Sequence, residues 1–217
     1  MTQNSWQDPQ AQREAEKYEN PIPSRELILS ILNQHNKALT AEQLAGVLGL
    51  YDDERQFALQ RRLGAMIRDG QLSADRRGAY KPLDETECVK GYVQGHPDGF
   101  GFLIPSDKSP DILLTSKQMR LVFHGDIALV RVVGFDHKGR PEGRIVRVIE
   151  HKTEHLVGRY CEEDGMAFVL PDNPRITQEI VLQGDNKGAQ LGQFVDVRIV
   201  QQPTHHNLAV GEVVEVL

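Results

Sequence analysis

The sequence predicts a multidomain α+β protein, a winged helix-turn-helix followed by two five-stranded β-barrels. Three observations predict it. Capped helical patterns occupy residues 24–70 and run into a basic hairpin. From about residue 87 the apolar residues alternate, as in strands, where they had earlier followed a helical period. That alternating region then repeats: Gly125-Asp126-Ile127-Ala128-Leu129-Val130-Arg131-Val132 aligns with Gly192-Gln193-Phe194-Val195-Asp196-Val197-Arg198-Ile199, 67 residues on. Gly211–Val216 likewise repeats Gly143–Val148 at an offset of 68, and tandem barrels explain this better than one long sheet. The division is a flexible N-terminal arm at 1–20, the winged helix at 21–82, a first barrel at 83–150 and a second at 151–217.

Bulk properties narrow the possibilities. A 39% hydrophobic chain of 217 residues can bury several small cores. No apolar run is long enough to span a bilayer and the N-terminus lacks a signal core, so a cytoplasmic protein without membrane contact is expected. Cys88 and Cys161 are too few for a disulfide framework or a zinc site. The net charge of −6 divides unevenly, as −2, +2, −1 and −5 over the four segments. Phosphate contacts need Lys and Arg on the contacting surface, which places any electrostatic grip in the winged helix and first barrel.

Taken in order, residues 1–20 are rich in Gln, Glu and Asn, and read as an arm that becomes helical over about 10–18 on docking. Pro21 and Pro23 end it. Ser24 caps a helix to about Gln34 with Leu27, Ile28, Ile31 and Leu32 inward. Thr40-Ala41-Glu42-Gln43 is a capping box opening a short helix that stops at Gly49. Asp52 or Asp53 opens a third helix to about Asp69, with Phe57, Leu59, Leu63, Met66 and Ile67 on its apolar side and Gly70 at its end. Two strands follow around an Asp75-Arg76-Arg77-Gly78 turn. Arg55, Arg61, Arg62 and Arg68 on the third helix, with Arg76 and Arg77 in the wing, form either a phosphate- or partner-contacting surface or an ordinary solvated face.

The first barrel opens with Lys90-Gly91-Tyr92-Val93-Gln94-Gly95-His96-Pro97-Asp98-Gly99-Phe100-Gly101-Phe102-Leu103, two strands joined by a Pro-Asp-Gly turn. Alternation puts Phe100 and Phe102 on one face. They are core rings of a small sheet or, with Lys90 beside them and glycines opening the backbone, a platform for unpaired bases. Asp111–Leu114, Asp126–Val133 and Gly143–Ile149 supply three more strands, as in an oligonucleotide-binding (OB) barrel. The second barrel keeps only Phe168 and is acidic, so a spacer or docking role with weak RNA contact is expected.

No catalytic set emerges. His151 and His155 are four apart but sit between strands without a third ligand. His205-His206 reads as a solvated turn, and Asp52-Asp53 and Glu162-Glu163-Asp164 fall at a helix start and a turn.

Lys90-Gly91 followed by Gly99-Phe100-Gly101-Phe102-Leu103, with Asp111-Ile112-Leu113-Leu114 behind, resembles the two contact strands of cold-shock domains. The order of modules, and the run Glu14-Ala15-Glu16-Lys17-Tyr18-Glu19-Asn20-Pro21-Ile22-Pro23-Ser24-Arg25-Glu26, is similar to the N-terminal half of bacterial ribonuclease R over about residues 12–217. That resemblance implies RNA binding, single-stranded and structured, by Lys90, His96, Phe100, Phe102 and Arg131. It also implies a 3′-to-5′ exoribonuclease domain in cis, with magnesium as that domain's cofactor and none in this chain. Gly95 and His96 stand where cold-shock proteins carry Trp and Phe, and Leu113 replaces an aromatic, so weaker single-strand affinity is expected. The alternatives are a regulatory protein-interaction module and, ranked lower, a winged-helix DNA-binding regulator.

Overall fold

A computed structural model describes residues 6–217 and divides into two units between Glu85 and Thr86. In the first unit, α2 (Arg25–Gln34) begins at Ser24, whose Oγ accepts the Leu27 N–H. Strand β1 (Leu39–Thr40) leads into α3 (Ala41–Leu48), which starts on the Thr40–Gln43 capping box. It ends on Gly49 at φ 70°, a left-handed cap that costs glycine nothing. Helix α4 (Asp53–Arg68) is capped by the Asp52 carboxylate. Strands β2 (Leu72–Ala74) and β3 (Ala79–Pro82) complete an antiparallel sheet in the order β1-β3-β2. Sequence reading missed β1, because two residues carry no periodicity. The core gathers Ile28, Ile31, Leu32, Leu44, Leu59, Leu63, Met66 and Leu72. Phe57 was expected in it but is 62% exposed. The buried positions 59, 63 and 66 define the inner face of α4, and position 57 falls on the opposite side at 100° per residue.

Residues 6–20 are not free of this body. Helix α1 (Ala11–Lys17) brings Glu14, 6% exposed, against Arg62 at 2.7 Å. Arg62 also donates to the Pro23 carbonyl at 2.7 Å. Arg13 forks onto Glu26, and Asp8 accepts both the N–H and the Oγ–H of Ser24. The expected arm is therefore a docked segment, held by polar anchors that hydropathy does not reveal. Its first five positions lie outside the described residues.

The second unit holds two closed barrels of identical connectivity. The first is β4 (Val89–Gly95), β5 (Gly101–Pro105), β6 (Ile112–Leu114), β7 (Ile127–Phe135) and β8 (Pro141–Glu150), with a one-turn helix α5 (Ser116–Met119) after β6. The second is β9 (His155–Glu163), β10 (Met166–Pro171), β11 (Ile180–Leu182), β12 (Phe194–Gln201) and β13 (Val210–Val216). Their orders are β4-β5-β6-β8-β7 and β10-β11-β13-β12-β9, the same ring. The repeat extends to packing. A Cβ on Gly143 would meet Val130 and Ile112 at 2.4 and 2.6 Å, and one on Gly211 would meet Val197 and Ile180 at 2.3 and 3.1 Å. Both glycines let the last strand cross its barrel core.

The barrels are joined by more than a linker. Phe123, 1% exposed, comes from the loop before β7 yet packs in the second barrel's core cluster. Arg175 of the β10–β11 loop donates to the Gly95 carbonyl at 3.0 Å. Gln178 donates to the carbonyls of Met119 and Val122. Buried Asp126 accepts the N–H of Phe123 and that of Lys152 in the connecting segment.

Candidate nucleic-acid interface

Inside the first barrel point Val93, Leu103, Ile112 and Leu114. Their neighbours face outward, and cross-strand pairing aligns Gln94, Phe102, Leu113 and Glu142 in one row over β4, β5, β6 and β8. Phe102 is the ring at the centre of that row, half-buried, with the Arg140 guanidinium 5.7 Å from its centroid. Arg140 is held there by Asp136 at 2.7 Å. Sequence reading missed Arg140, because a hairpin tip 38 residues from Phe102 gives no signal of where it will land.

Phe100 departs from its expected place. It lies in the turn before β5, so strand alternation does not govern it. Its ring stands at 88° to Phe102 with centroids 5.8 Å apart, an edge-to-face pair and not a coplanar platform. His96 stacks on Phe100 instead, at 4.3 Å and 13°. Gly99, at φ 95°, makes the turn that brings them together. Gly101 was expected to open backbone for a ligand. Its missing Cβ would strike the Met119 sulfur at 2.6 Å and the Gln94 carbonyl at 2.7 Å, so it serves internal packing.

Lys90 is exposed on the same strand face as Tyr92 and Gln94, about 13 Å along β4 from the Phe102 row. Arg131 is not a member of this row. It lies on β7, paired across strands with Arg144 of β8. The two arginines form a separate basic pair on the β7–β8 hairpin. In the second barrel Phe168 takes the outward position on β10, paired with Cys161 and Val181.

Behind the ring cluster, His124 links the parts. Its Nδ1 accepts the Gly95 N–H at 3.1 Å and its Nε2 meets Tyr92 Oη at 3.2 Å. Burial, with Arg175 adding to it, holds the imidazole below its ordinary pKa.

In the first unit, Arg55, Arg61 and Arg68 lie on α4, and Arg76 and Arg77 are exposed in the β2–β3 turn. Asp75 builds that turn by accepting the N–H groups of Arg77 and Ala79, which hold its carboxyl below the usual range. Arg62 leaves the expected contact set: it is turned inward onto Glu14 and Pro23. His151 and His155 face different carboxylates, Asp126 and Asp196, each at 3.6 Å. Among the described residues no group of three or more His, Cys, Asp or Glu could hold a metal ion, and no helix is long and apolar enough to cross a membrane.

Comparison with known proteins agrees with this architecture. Residues 91–148 match the family model of the ribonuclease B OB domain, and residues 168–217 that of the cold shock domain. Ribonuclease R of Acidithiobacillus ferrooxidans is 47% identical over 213 residues, covering 97% of this chain and 48% of that protein. By sequence the chain matches the N-terminal region of ribonuclease R. The Escherichia coli ribonuclease R is also 47% identical, over 97% of this chain and 26% of its own length. The chain thus spans between a quarter and a half of these ribonuclease R relatives, and corresponds to their N-terminal OB and cold-shock region. Among solved structures, Mycoplasma genitalium RNase R in complex with ribose methylated single-stranded RNA superposes with a TM-score of 0.51, over 59% of this chain and 21% of that one. At 14% identity this is a likeness of fold.

Proposed function

We propose that this chain is the RNA-capturing part of a ribonuclease R-type 3′-to-5′ exoribonuclease, binding single-stranded RNA and delivering it to a catalytic domain in cis. The observation that carries the reading is the outward Phe102 at the centre of the β4–β5–β6 face, with Arg140 over its ring and the His96–Phe100 stack at its edge. One base stacks on Phe102 and a neighbour on His96, while Lys90 takes a phosphate further along β4. The structural relative in complex with ribose methylated single-stranded RNA supports the choice of ligand.

Phosphodiester hydrolysis, with its magnesium, is assigned to the part of the ribonuclease R relatives that this chain does not span. Among the described residues, no group of three or more His, Cys, Asp or Glu could hold that ion. A bacterial cytoplasm is the compartment the reading implies. The helix–strand–helix–helix–strand–strand order of the first unit, with β1 pairing β3, supports reading it as a winged helix. Arg61, Arg68, Arg76 and Arg77 are then its contacts with backbone phosphate.

The test is a titration of the 217-residue chain with fluorescent single-stranded RNA at two salt concentrations with magnesium, the products being run on a denaturing gel. Salt-sensitive binding with intact RNA is expected. Absence of binding at low salt moves the assignment to a protein-interaction module, and shortened RNA places a nuclease site within this chain.

A further inference from the structure

The N-terminal segment does more than dock. Where α1 lies against α4 it leaves a cleft of about 460 Å³, within the range of about 300–1,000 Å³ typical of small-ligand sites. Its walls carry six cations, Arg13, Lys17, Arg25, Arg61, Arg62 and Arg68, against one carboxylate, Glu14. Glu14 is already neutralised, taking Arg13 at 3.0 Å and Arg62 at 2.7 Å. Ala58 and Ala65 on α4 leave room between the arginines. Tyr18, 43% exposed, also lines the cleft.

The cations differ in what holds them. Arg13 and Arg25 are ion-paired with Glu26 and Asp69. Arg62, its side chain 11% exposed, is fixed by Glu14 and Pro23, and its guanidinium lies 5.4 Å from the Tyr18 ring centroid, setting that ring in place. Lys17 and Arg61 have no ion-pair partner among the described residues, and the Lys17 ammonium sits 5.4 Å from the Tyr18 centroid. A polar cleft with uncompensated positive charge and one half-exposed ring at its wall matches a phosphate joined to a planar base.

We propose that this cleft is a second RNA site, separate from the first barrel, that takes one unpaired nucleotide of a strand. Lys17 and Arg61 bind its phosphate, and Tyr18 stacks on its base. Arg62 acts as a positioning residue for the ring. The proposal deepens the RNA-binding reading given above, and its test keeps the two apart.

The whole chain is cross-linked under ultraviolet light to a single-stranded RNA containing 4-thiouridine, and the modified peptides are mapped by mass spectrometry. Adducts are expected both on the Tyr18 peptide and on the peptide carrying Phe102. Lys17→Gln with Arg61→Gln should lower the Tyr18 adduct roughly tenfold and leave the Phe102 adduct unchanged. Tyr18→Phe should keep the binding that Tyr18→Ala loses, with unchanged thermal unfolding showing that the fold persists. Labelling confined to the barrel, or a Tyr18 adduct indifferent to the charge variant, overturns the proposal. Labelling confined to the cleft supports it and overturns the barrel reading, and no labelling overturns both. Suppression of the Tyr18 adduct by a poly-glutamate chain present during irradiation at equal charge concentration also overturns it, assigning the cleft to an acidic protein segment.

Discussion

Phe102 and Phe100 are two rings of one motif with different work to do. Phe102 stands on the strand, its outward side partly exposed, with the Arg140 guanidinium 5.7 Å from its centroid. Phe100 already has His96 against one face and the edge contact with Phe102. It also lines the crevice between the barrels with Met119 and Thr177. Phe102→Ala should therefore cost roughly 1–3 kcal/mol of single-strand RNA binding, measured by fluorescence anisotropy. Phe100→Ala should cost less affinity directly but lower barrel stability, read from thermal unfolding. Equal losses of affinity at the two positions, with stability intact, would restore the coplanar platform that alternation alone suggests.

At the scale of elements, the helix ends were legible because capping is local. Ser24, Thr40 with Gln43, and Asp52 each accept the N–H that their spacing calls for. The barrel strands were legible twice over, through alternation and through the repeat. What the sequence did not disclose was contact between distant segments: Arg62 with Glu14, 48 residues apart, or Arg140 over Phe102. Residue type said that these arginines were basic, and only the fold said what they face. Helix α1 is the clearest instance, since its docking rests on polar groups. Arg13, hydrogen-bonded to Glu26, holds that carboxyl at about 2, below its model-compound value of 4.5. Burial alone would raise Asp8, but the Ser24 hydrogen bonds outweigh it and Asp8 also lies low. Both carboxylates are depressed in the folded state, so their contribution is full above about pH 4.5 and is lost as pH falls toward 2. Trp6, the single tryptophan, packs against the first unit's core and reports the event. Its emission should shift to the red across that window, and Arg13→Gln should move the shift to higher pH. Emission unchanged down to pH 2 would mean that apolar packing alone holds the segment.

For the whole molecule, the main consequence concerns the two barrels, which share Phe123 and the seam around Gly95. His124 ties that seam to the candidate RNA face through Gly95 and Tyr92. Its pKa is depressed by burial and by Arg175, so its contribution is full above its ordinary value of 6.5 and declines as pH falls below it. Protonation at Nδ1 removes the acceptor for the Gly95 N–H. Protection against hydrogen exchange, corrected for the intrinsic slowing of exchange at lower pH, should therefore fall together at the β4 end and in the β10–β11 loop between pH 7 and pH 5. Gly95→Ala should reproduce that at pH 7, because its Cβ would lie 2.1 Å from the Arg175 carbonyl oxygen. Protection lost on one side of the seam alone would show barrels that move independently.

Charge distribution sets the remaining expectation for the molecule as a whole. A chain of net charge −6 cannot hold RNA by a diffuse positive field, so attraction must come from a few placed cations over a neutral or repulsive background. The second barrel, at −5, adds no net positive charge to that attraction. With Lys90 and Arg140 on the first barrel and the exposed arginines of the first unit as the candidates, we take about three to five phosphate contacts in all. Single strands lose about 0.7 of a unit in log affinity per contact for each decade of salt. Binding should then weaken roughly 20- to 100-fold between 50 and 200 mM salt, with the stacking contribution left behind as a salt-insensitive remainder. A much steeper fall would require more phosphate contacts than these residues supply. A flat response would leave stacking as the whole of the interaction and remove the basic residues of the first unit from the RNA path.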